Sequence, residues 1–341
     1  MRTDSLLTKT LLSLVIAALA GAAIAAQPAS SGQIRVGIIG LDAHGVPWTK
    51  IINDPKAKPP INTLRVVAAY PSFSPDVPFS ADNTQKNTET VRKMGVEITR
   101  SIDELLPKVD AVMVLGIDGR PHLAQAKAAI AAHKTLYVDK PVASSLVDTI
   151  RIYDLARQAG VPCFSSSSLR YSADFVNIRK DPKIGKILGC DAYSNNVSIL
   201  PGHPDFFYYG IHGSELLFTI MGPGCKTVTR VTSDTADMAL GVWSDGRVGT
   251  LRGILKGRTG FGAMVYGEKG IAPAGKFEGY DPLLVEIAGF FKTGKPPVAE
   301  AVTLEIYAFM EAADQSKRQG GSPVSIEAVL EKARQEAGAK K

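Results

Sequence analysis

Two short stretches of this chain carry side chains that could move a proton. Asp139-Lys140-Pro141 follows Thr135–Val138, which reads as a buried strand. In open α/β sheets ligands bind just outside the carboxyl ends of the strands, so Lys140 is placed by topology as well as by type. Its ammonium could stabilise negative charge developing on a substrate oxygen, and Pro141 favours an extended backbone before it. Tyr208-Tyr209-Gly210-Ile211-His212-Gly213-Ser214-Glu215 opens a helix running to Met221. His212 and Glu215, three apart, share one helical face, and a histidine there can act as acid or base near neutral pH.

A third stretch, Val36-Gly37-Ile38-Ile39-Gly40-Leu41-Asp42-Ala43-His44-Gly45, is almost a dinucleotide-binding loop. Gly40 and Gly45 take the first and last positions of G-x-G-x-x-G, but the middle position, where backbone approaches a diphosphate, is Asp42. Either a carboxylate sits where phosphate should, or Asp42 turns away and caps the following helix. The second strand ends in Tyr70-Pro71-Ser72, with neither an acid for a ribose hydroxyl nor an arginine for a 2′-phosphate. His203, Asp205, His212 and Glu215 fall within thirteen residues, but the glycine, proline and aromatics among them read as a loop that does not focus them. No metal site is expected.

The elements that must position these residues alternate strand and helix from Gln33 to Phe164. Strands are expected at Ile34–Ile39, Leu64–Tyr70, Val96–Ile98, Ala111–Leu115, Thr135–Val138 and Val161–Phe164. Helices are expected at Val46–Asn53, Thr88–Met94, Pro121–Ala132 and Ser145–Ala159, with a capping box at Ser101–Glu104 and a polar loop from Pro71 to Lys86. This is the pattern of an open parallel sheet with helices on both faces. After Phe164 come four serines and then longer, adjacent strand-like runs: Ile187–Ser198, Thr227–Ser233, Ala236–Trp243 and Val248–Leu255, the last two joined by a Ser244–Arg247 hairpin turn. They read as an α+β domain containing an antiparallel sheet. Leu283–Lys292 and Val302–Lys317 read as helices that pack late, back on the first domain.

The two motifs together resemble the Gfo/Idh/MocA family (glucose–fructose oxidoreductase, inositol dehydrogenase and relatives). Asp139-Lys140-Pro141 is similar to that family's E-K-P. Gly210, His212 and Glu215 are similar to its D-x-G-x-H-x-x-D, with Tyr208 in the place of the first Asp. Leu169-Arg170-Tyr171, Pro121-His122 and Gly289–Pro297 are similar to further family segments. The resemblance implies an α/β fold with an N-terminal Rossmann-like domain (33–164) and a C-terminal substrate and oligomerisation domain (165–336). It implies NAD or NADP as cofactor, held by Gly40, Asp42, Gly45, Tyr70, Asp139 and Pro141. It implies hydride transfer on a sugar, inositol or related polyol, with Lys140 and His212 as polar catalytic groups and Tyr208 as an alternative proton carrier. Arg120, Arg170 and Glu215 are expected at the substrate. The alternative is an exported relative without redox activity that binds carbohydrate or modifies it without a cofactor.

Bulk properties bound the rest. The 341 residues suffice for two domains, and 45% hydrophobic and 21% charged residues are ordinary for a globular chain. The net charge of +6 is dispersed, with no basic block to suggest nucleic acid. Arg2 and Lys9, the apolar run Leu11–Ala26 and the small residues at Ala23–Ala25 describe a signal peptide over residues 1–26. Cleavage would leave an exported protein, periplasmic or secreted, and an uncleaved run would anchor it to a membrane. Of Cys163, Cys190 and Cys225, the last two could pair in an oxidising compartment. The C-terminal sheet is expected to support a homo-oligomer.

Overall fold

The β-branched, apolar segments pair into a parallel sheet. In the computed structural model, which describes residues 32–195 and 202–339, its strands are β1 (Ile34–Ile39), β2 (Leu64–Tyr70), β3 (Glu97–Ile98), β4 (Ala111–Val114), β5 (Thr135–Val138) and β6 (Cys163–Phe164). Their order is β3-β2-β1-β4-β5-β6, and every pairing is parallel. Chain order reverses between β1 and β4, so the crevice at the carboxyl ends of these two strands is the switch point at which such sheets take ligands. The helices covering the sheet are α1 (Gly45–Ile52), α2 (Pro78–Lys93), α3 (Ile102–Leu105), α4 (His122–Ala131) and α5 (Leu146–Gln158). Ser101 caps α3 by accepting from Glu104 N at 3.1 Å, as its capping box predicts.

The segment expected to be a loop up to Lys86 is helical from Pro78. Its inward positions are Ser80, Thr84, Thr88 and Val91, so the buried stripe is mostly small hydroxyl residues and carries no apolar period. Thr84 and Thr88 satisfy their hydroxyls on the carbonyls of Ser80 and Thr84, each at 2.7 Å.

The chain continues through a short helix, α6 (Ala173–Asn177), into the second sheet. Its strands are β7 (Ile187–Asn195), β8 (Cys225–Thr232), β9 (Ala236–Trp243), β10 (Val248–Ile254), β11 (Gly262–Gly267), β12 (Ile271–Ala274) and, near the end of the chain, β13 (Val324–Ser325). In the order β12-β11-β7-β10-β9-β8-β13 all pairs are antiparallel except β7 with β10, so the sheet is mixed rather than purely antiparallel. The β9–β10 hairpin turns at Asp245-Gly246, with Trp243 N bonded to Arg247 O at 2.8 Å. One face of this sheet buries Cys190, Ala192, Ala239, Leu251 and Val265, and α7 (Ile211–Met221) and α9 (Glu300–Arg318) lie against the sheet. The other face exposes Leu188, Tyr193, Leu240, Val248 and Met264.

Two late helices return to the first domain. In α8 (Asp281–Thr293), Leu283, Leu284, Ile287 and Phe290 share a core with Val36, Trp48 and Tyr137, and Phe290 meets Phe164 edge-on at 4.6 Å. From α9, the Tyr307 hydroxyl accepts from Val142 N at 2.5 Å. The last helix, α10 (Ile326–Ala339), packs on α5.

Cys190 and Cys225 are free, on strands separated by β10 and β9. Three inter-strand spacings of about 4.8 Å hold them about 14 Å apart, beyond the ~7 Å Cα limit for a disulfide. No helix among the described residues is long and apolar enough to cross a membrane. The expected signal peptide lies outside the described residues.

Candidate active site

The β1–α1 turn is built as its glycines require. Gly40 has φ +95°, and a Cβ there would stand 2.5 Å from Gly116 N, so only glycine lets the loop turn this tightly over β4. A Cβ at Gly45 would meet Leu41 Cδ2 at 2.5 Å. Two of the three positions of a dinucleotide loop are therefore kept in form. Tyr70 joins through its backbone, its carbonyl accepting from Gly40 N at 3.0 Å.

The third position is occupied by the chain itself. Asp42 is 2% exposed and does not cap α1, whose N-cap, His44, makes no side-chain capping bond. Its carboxylate accepts from Ile117 N at 3.2 and 3.3 Å and from the Ser80 hydroxyl at 2.6 Å. Burial pushes this carboxyl above its ordinary value, against the opposing pull of the Ser80 and Ile117 bonds. Beside it Ser74 N donates to Ser80 Oγ at 3.0 Å, and the Ser74 hydroxyl donates to Asp118 at 2.5 Å. Arg120 bridges Asp118 and Asp76 at 2.7 Å each, and His203 Nε2 lies 3.2 Å from both Asp118 Oδ1 and Gly119 N. Burial raises the Asp118 carboxyl, but hydrogen bonds from His203, Arg120 and Ser74 outweigh it and hold the group well below the carboxylate range. Val77, Ile117 and Tyr208 close an apolar cluster over the same edge.

The β5 end of the crevice is different. His44, Lys140, Leu169, Tyr209, His212 and Tyr280 line a cavity of about 90 Å³ between the two domains. Lys140 is 5% exposed, with Nζ 5.6 Å from the Tyr209 ring centre. Burial lowers its ammonium pKa, and Asp139 and Asp42 oppose that shift. His212 stands at the start of α7, which seats closely on the second sheet because Gly213 has no Cβ: one would lie 2.4 Å from Leu251 Cδ1 and Ser194 Oγ. His212 Nδ1 is 2.8 Å from Ser167 Oγ. Burial, and then the charges of Lys140 and His44, take the His212 pKa well below the ordinary imidazole value, so the ring rests neutral.

His44 is a member of this cluster that its place in the loop sequence gave no reason to single out. Its Nδ1 bonds Asp139 Oδ2, and its ring stacks on Trp48 at 5.0 Å and meets Tyr280 edge-on at 5.1 Å. Asp139 also accepts from Lys140 N at 2.8 Å, and although burial raises it, His44 holds its carboxyl below the ordinary range. A histidine held by a buried carboxylate is the orientation device of a general base. Its partner lies ninety-five residues away, so spacing could not reveal it. Tyr209 and Ser167 were also missed, the first beside the tyrosine singled out and the second inside the serine run.

The remaining expected residues stand outside the cavity lining. Tyr208 packs in the apolar cluster, and its neighbour Tyr209 faces the cavity. Arg120 is engaged by Asp118 and Asp76. Arg170 Nε donates to Glu215 Oε1 at 2.6 Å, and the Ser166 hydroxyl donates to the same oxygen at 2.7 Å. This pair braces the β6 loop against α7, behind His212. The Pro141 carbonyl accepts from His122 Nδ1 at 2.9 Å. His203, Asp205, His212 and Glu215 bond to different partners, and among the described residues no group of three metal-ligating side chains converges.

Comparison with known proteins adds the following. Residues 34–167 match the family model described as oxidoreductase family, NAD-binding Rossmann fold. "Uncharacterized oxidoreductase YhhX" of Escherichia coli (strain K12) is 25% identical over 138 residues, which span 37% of this chain and 40% of that relative. Among solved structures, scyllo-inositol dehydrogenase from Lactobacillus casei, with bound NAD(H) and scyllo-inositol, superposes with a TM-score of 0.68 at 15% identity, covering 86% of this chain and 99% of that one. An oxidoreductase from Agrobacterium radiobacter in complex with NAD+, L-tartaric acid and magnesium gives 0.69 at 16% identity, covering 87% of this chain and all of the other. At these identities the likeness shows a shared fold across both domains.

Proposed function

Since residues 34–167 match the Gfo/Idh/MocA model of NAD-binding Rossmann-fold oxidoreductases, we propose that the chain interconverts a CH–OH carbon and the corresponding carbonyl of a small sugar, inositol or related polyol with NAD or NADP. The observation that carries this reading is the convergence of Lys140 and His212, from different domains, on one cavity at the carboxyl edge of β5. The turn at Gly40 and Gly45 suits the dinucleotide, and Lys140 and His212 would stand at its nicotinamide end. The diphosphate position is compatible once the Asp42 carboxylate leaves it.

The bound cofactor would supply the hydride acceptor. The chain's own part is proton handling and charge. A hydroxyl must lose its proton as its carbon becomes a carbonyl. His212, kept neutral by burial, is suited to take that proton at Nε2 when Nδ1–H donates to Ser167. The Lys140 ammonium would stabilise the oxygen as negative charge develops. His44, held by Asp139, offers a second proton acceptor. The aromatic walls from Tyr209, Phe261 and Tyr280 would exclude water from the reacting carbon.

The test is an assay at 340 nm with inositols, aldoses and sugar acids against NAD+ and NADP+. NADH or NADPH formation that Lys140→Met abolishes supports the proposal. Absence of turnover across the panel counts against it. A second reading, a redox-silent carbohydrate-binding relative, draws on one observation, the buried, hydrogen-bonded Asp42 carboxylate at the middle position of the loop. We also propose export after cleavage near residue 26, checked by cell fractionation and N-terminal sequencing. The exposed row Leu188, Tyr193, Leu240, Val248 and Met264 supports self-association through the second sheet, checked by light scattering.

A further inference from the structure

We infer that Asp42 is an internal occupant of the diphosphate cradle, and that dinucleotide binding in this chain is an exchange in which the ligand's diphosphate displaces the Asp42 carboxylate. The inference rests on the reading of the chain as a nicotinamide-dependent oxidoreductase, and deepens it. Four observations carry it. Asp42 takes the place in the loop where a glycine would let backbone meet phosphate. Its side chain is folded inward, 2% exposed. It is held by two donors from two other segments, Ile117 N after β4 and the Ser80 hydroxyl in the first turn of α2. The Asn87 side chain fixes the loop backbone as well, donating to the carbonyls of Leu41 at 2.8 Å and Asp42 at 3.2 Å.

These contacts take up two donors at this edge, Ile117 N and the Ser80 hydroxyl. A main-chain N–H and a hydroxyl, aimed at one buried carboxylate, are a small anion site already filled. A diphosphate arriving here meets a like charge in a poorly screened position, and the two cannot share the donors. Binding therefore requires Asp42 to rotate out, releasing the tie between the β1–α1 loop, the β4–α4 loop and α2. The carboxylate sets how tightly the chain holds its cofactor, and it keeps this edge closed in the cofactor's absence.

The experiment is calorimetric titration of the full chain with two probes, NADH and ADP-ribose; the latter carries the diphosphate without nicotinamide. Wild type, Asp42→Gly and Asp42→Asn are compared, with melting curves to confirm that each is folded. Asp42→Asn keeps the shape and one acceptor oxygen and removes the charge, so the result does not depend on a glycine being tolerated. At least a tenfold tighter Kd for both probes in Asp42→Gly, and a smaller gain in Asp42→Asn, is the expected result. Equal affinity in all three proteins overturns the exchange while leaving the oxidoreductase reading in place. Binding by the variants with none by wild type at millimolar probe supports the occupant and removes the oxidoreductase reading for the natural chain. No binding by any folded protein overturns both.

Discussion

At the β5 end of the crevice His44, Lys140 and His212 direct polar side chains into a cavity. At the β1–β4 end Asp42, Ser74, Ser80 and Asp118 direct theirs into one another. Both ends lie at the carboxyl edge of the same sheet, and both bury ionisable groups. They differ in whether the groups are satisfied within the chain. Buried polar groups are stable when their partners are complete, and at the β1–β4 end both carboxylates meet that condition, one bonded by two donors and the other held by an arginine, a histidine and a serine, although His203 Nδ1 has no partner among the described residues. The β5 end leaves the Lys140 ammonium and the His212 imidazole against aromatic rings and open space, while its one carboxylate, Asp139, is paired with His44. A structural cluster pairs its charges. A reactive one keeps unpaired groups whose ionisation burial has shifted.

Four substitutions can break or sharpen this contrast. Lys140→Met should have the largest effect, a loss of about 10³-fold in kcat/KM with the fold kept, because the charge that steadies the reacting oxygen is gone. Steady-state kinetics at saturating cofactor, with a melting curve, check it. His212→Asn should cost about 10²-fold. Because burial holds the His212 pKa well below 6.5, the wild-type kcat/KM profile should show no acid limb near pH 6.5, only one at lower pH. A limb at 6.5 would mean that the proton acceptor is a solvated histidine.

At the other end the effect should fall on stability. Asp118→Asn should destabilise the chain by about 3 kcal/mol in urea unfolding, since it strips a buried partner from Arg120 and His203. The sign of its pH dependence follows from a carboxyl whose folded pKa is depressed. The folded state holds the proton less readily than the unfolded one, so the stabilisation is complete above the unfolded value near 4 and is lost as pH falls below it. The gap between wild type and variant should therefore be constant above about pH 5 and shrink below about pH 4. The smallest effect, less than about twofold in kcat/KM, is expected for Tyr208→Phe, whose ring packs with Val77 and Ile117 away from the cavity.

Much of the frame was legible in the residues. β1, β2 and β5 run where expected, and α5, expected to start at Ser145, is capped there, with Asp148 N bonded to Ser145 Oγ at 3.0 Å. The places of Lys140 and His212 in the fold were legible because one follows a strand end and the other a helix start. The first half of α2 was not legible, because Ser80, Thr84 and Thr88 bury hydroxyls where a pattern search expects apolar side chains. The fate of Asp42 was not legible either. Its partners are thirty-eight and seventy-five residues distant, and nothing local distinguishes a capping aspartate from one folded into the crevice. His44, Ser167 and the Arg170–Glu215 pair acquire their roles the same way, from contacts between segments that only the fold brings together.

The most direct test of the account is one progress curve at 340 nm: full-length chain, NAD+ or NADP+, and a panel of inositols, sugars and sugar acids, run beside Lys140→Met. The account predicts reduced cofactor accumulating with at least one substrate in the wild type and at least a hundredfold more slowly in the variant. Equal rates in the two proteins, or no reduced cofactor with any substrate even when Asp42 is replaced by glycine, would contradict it.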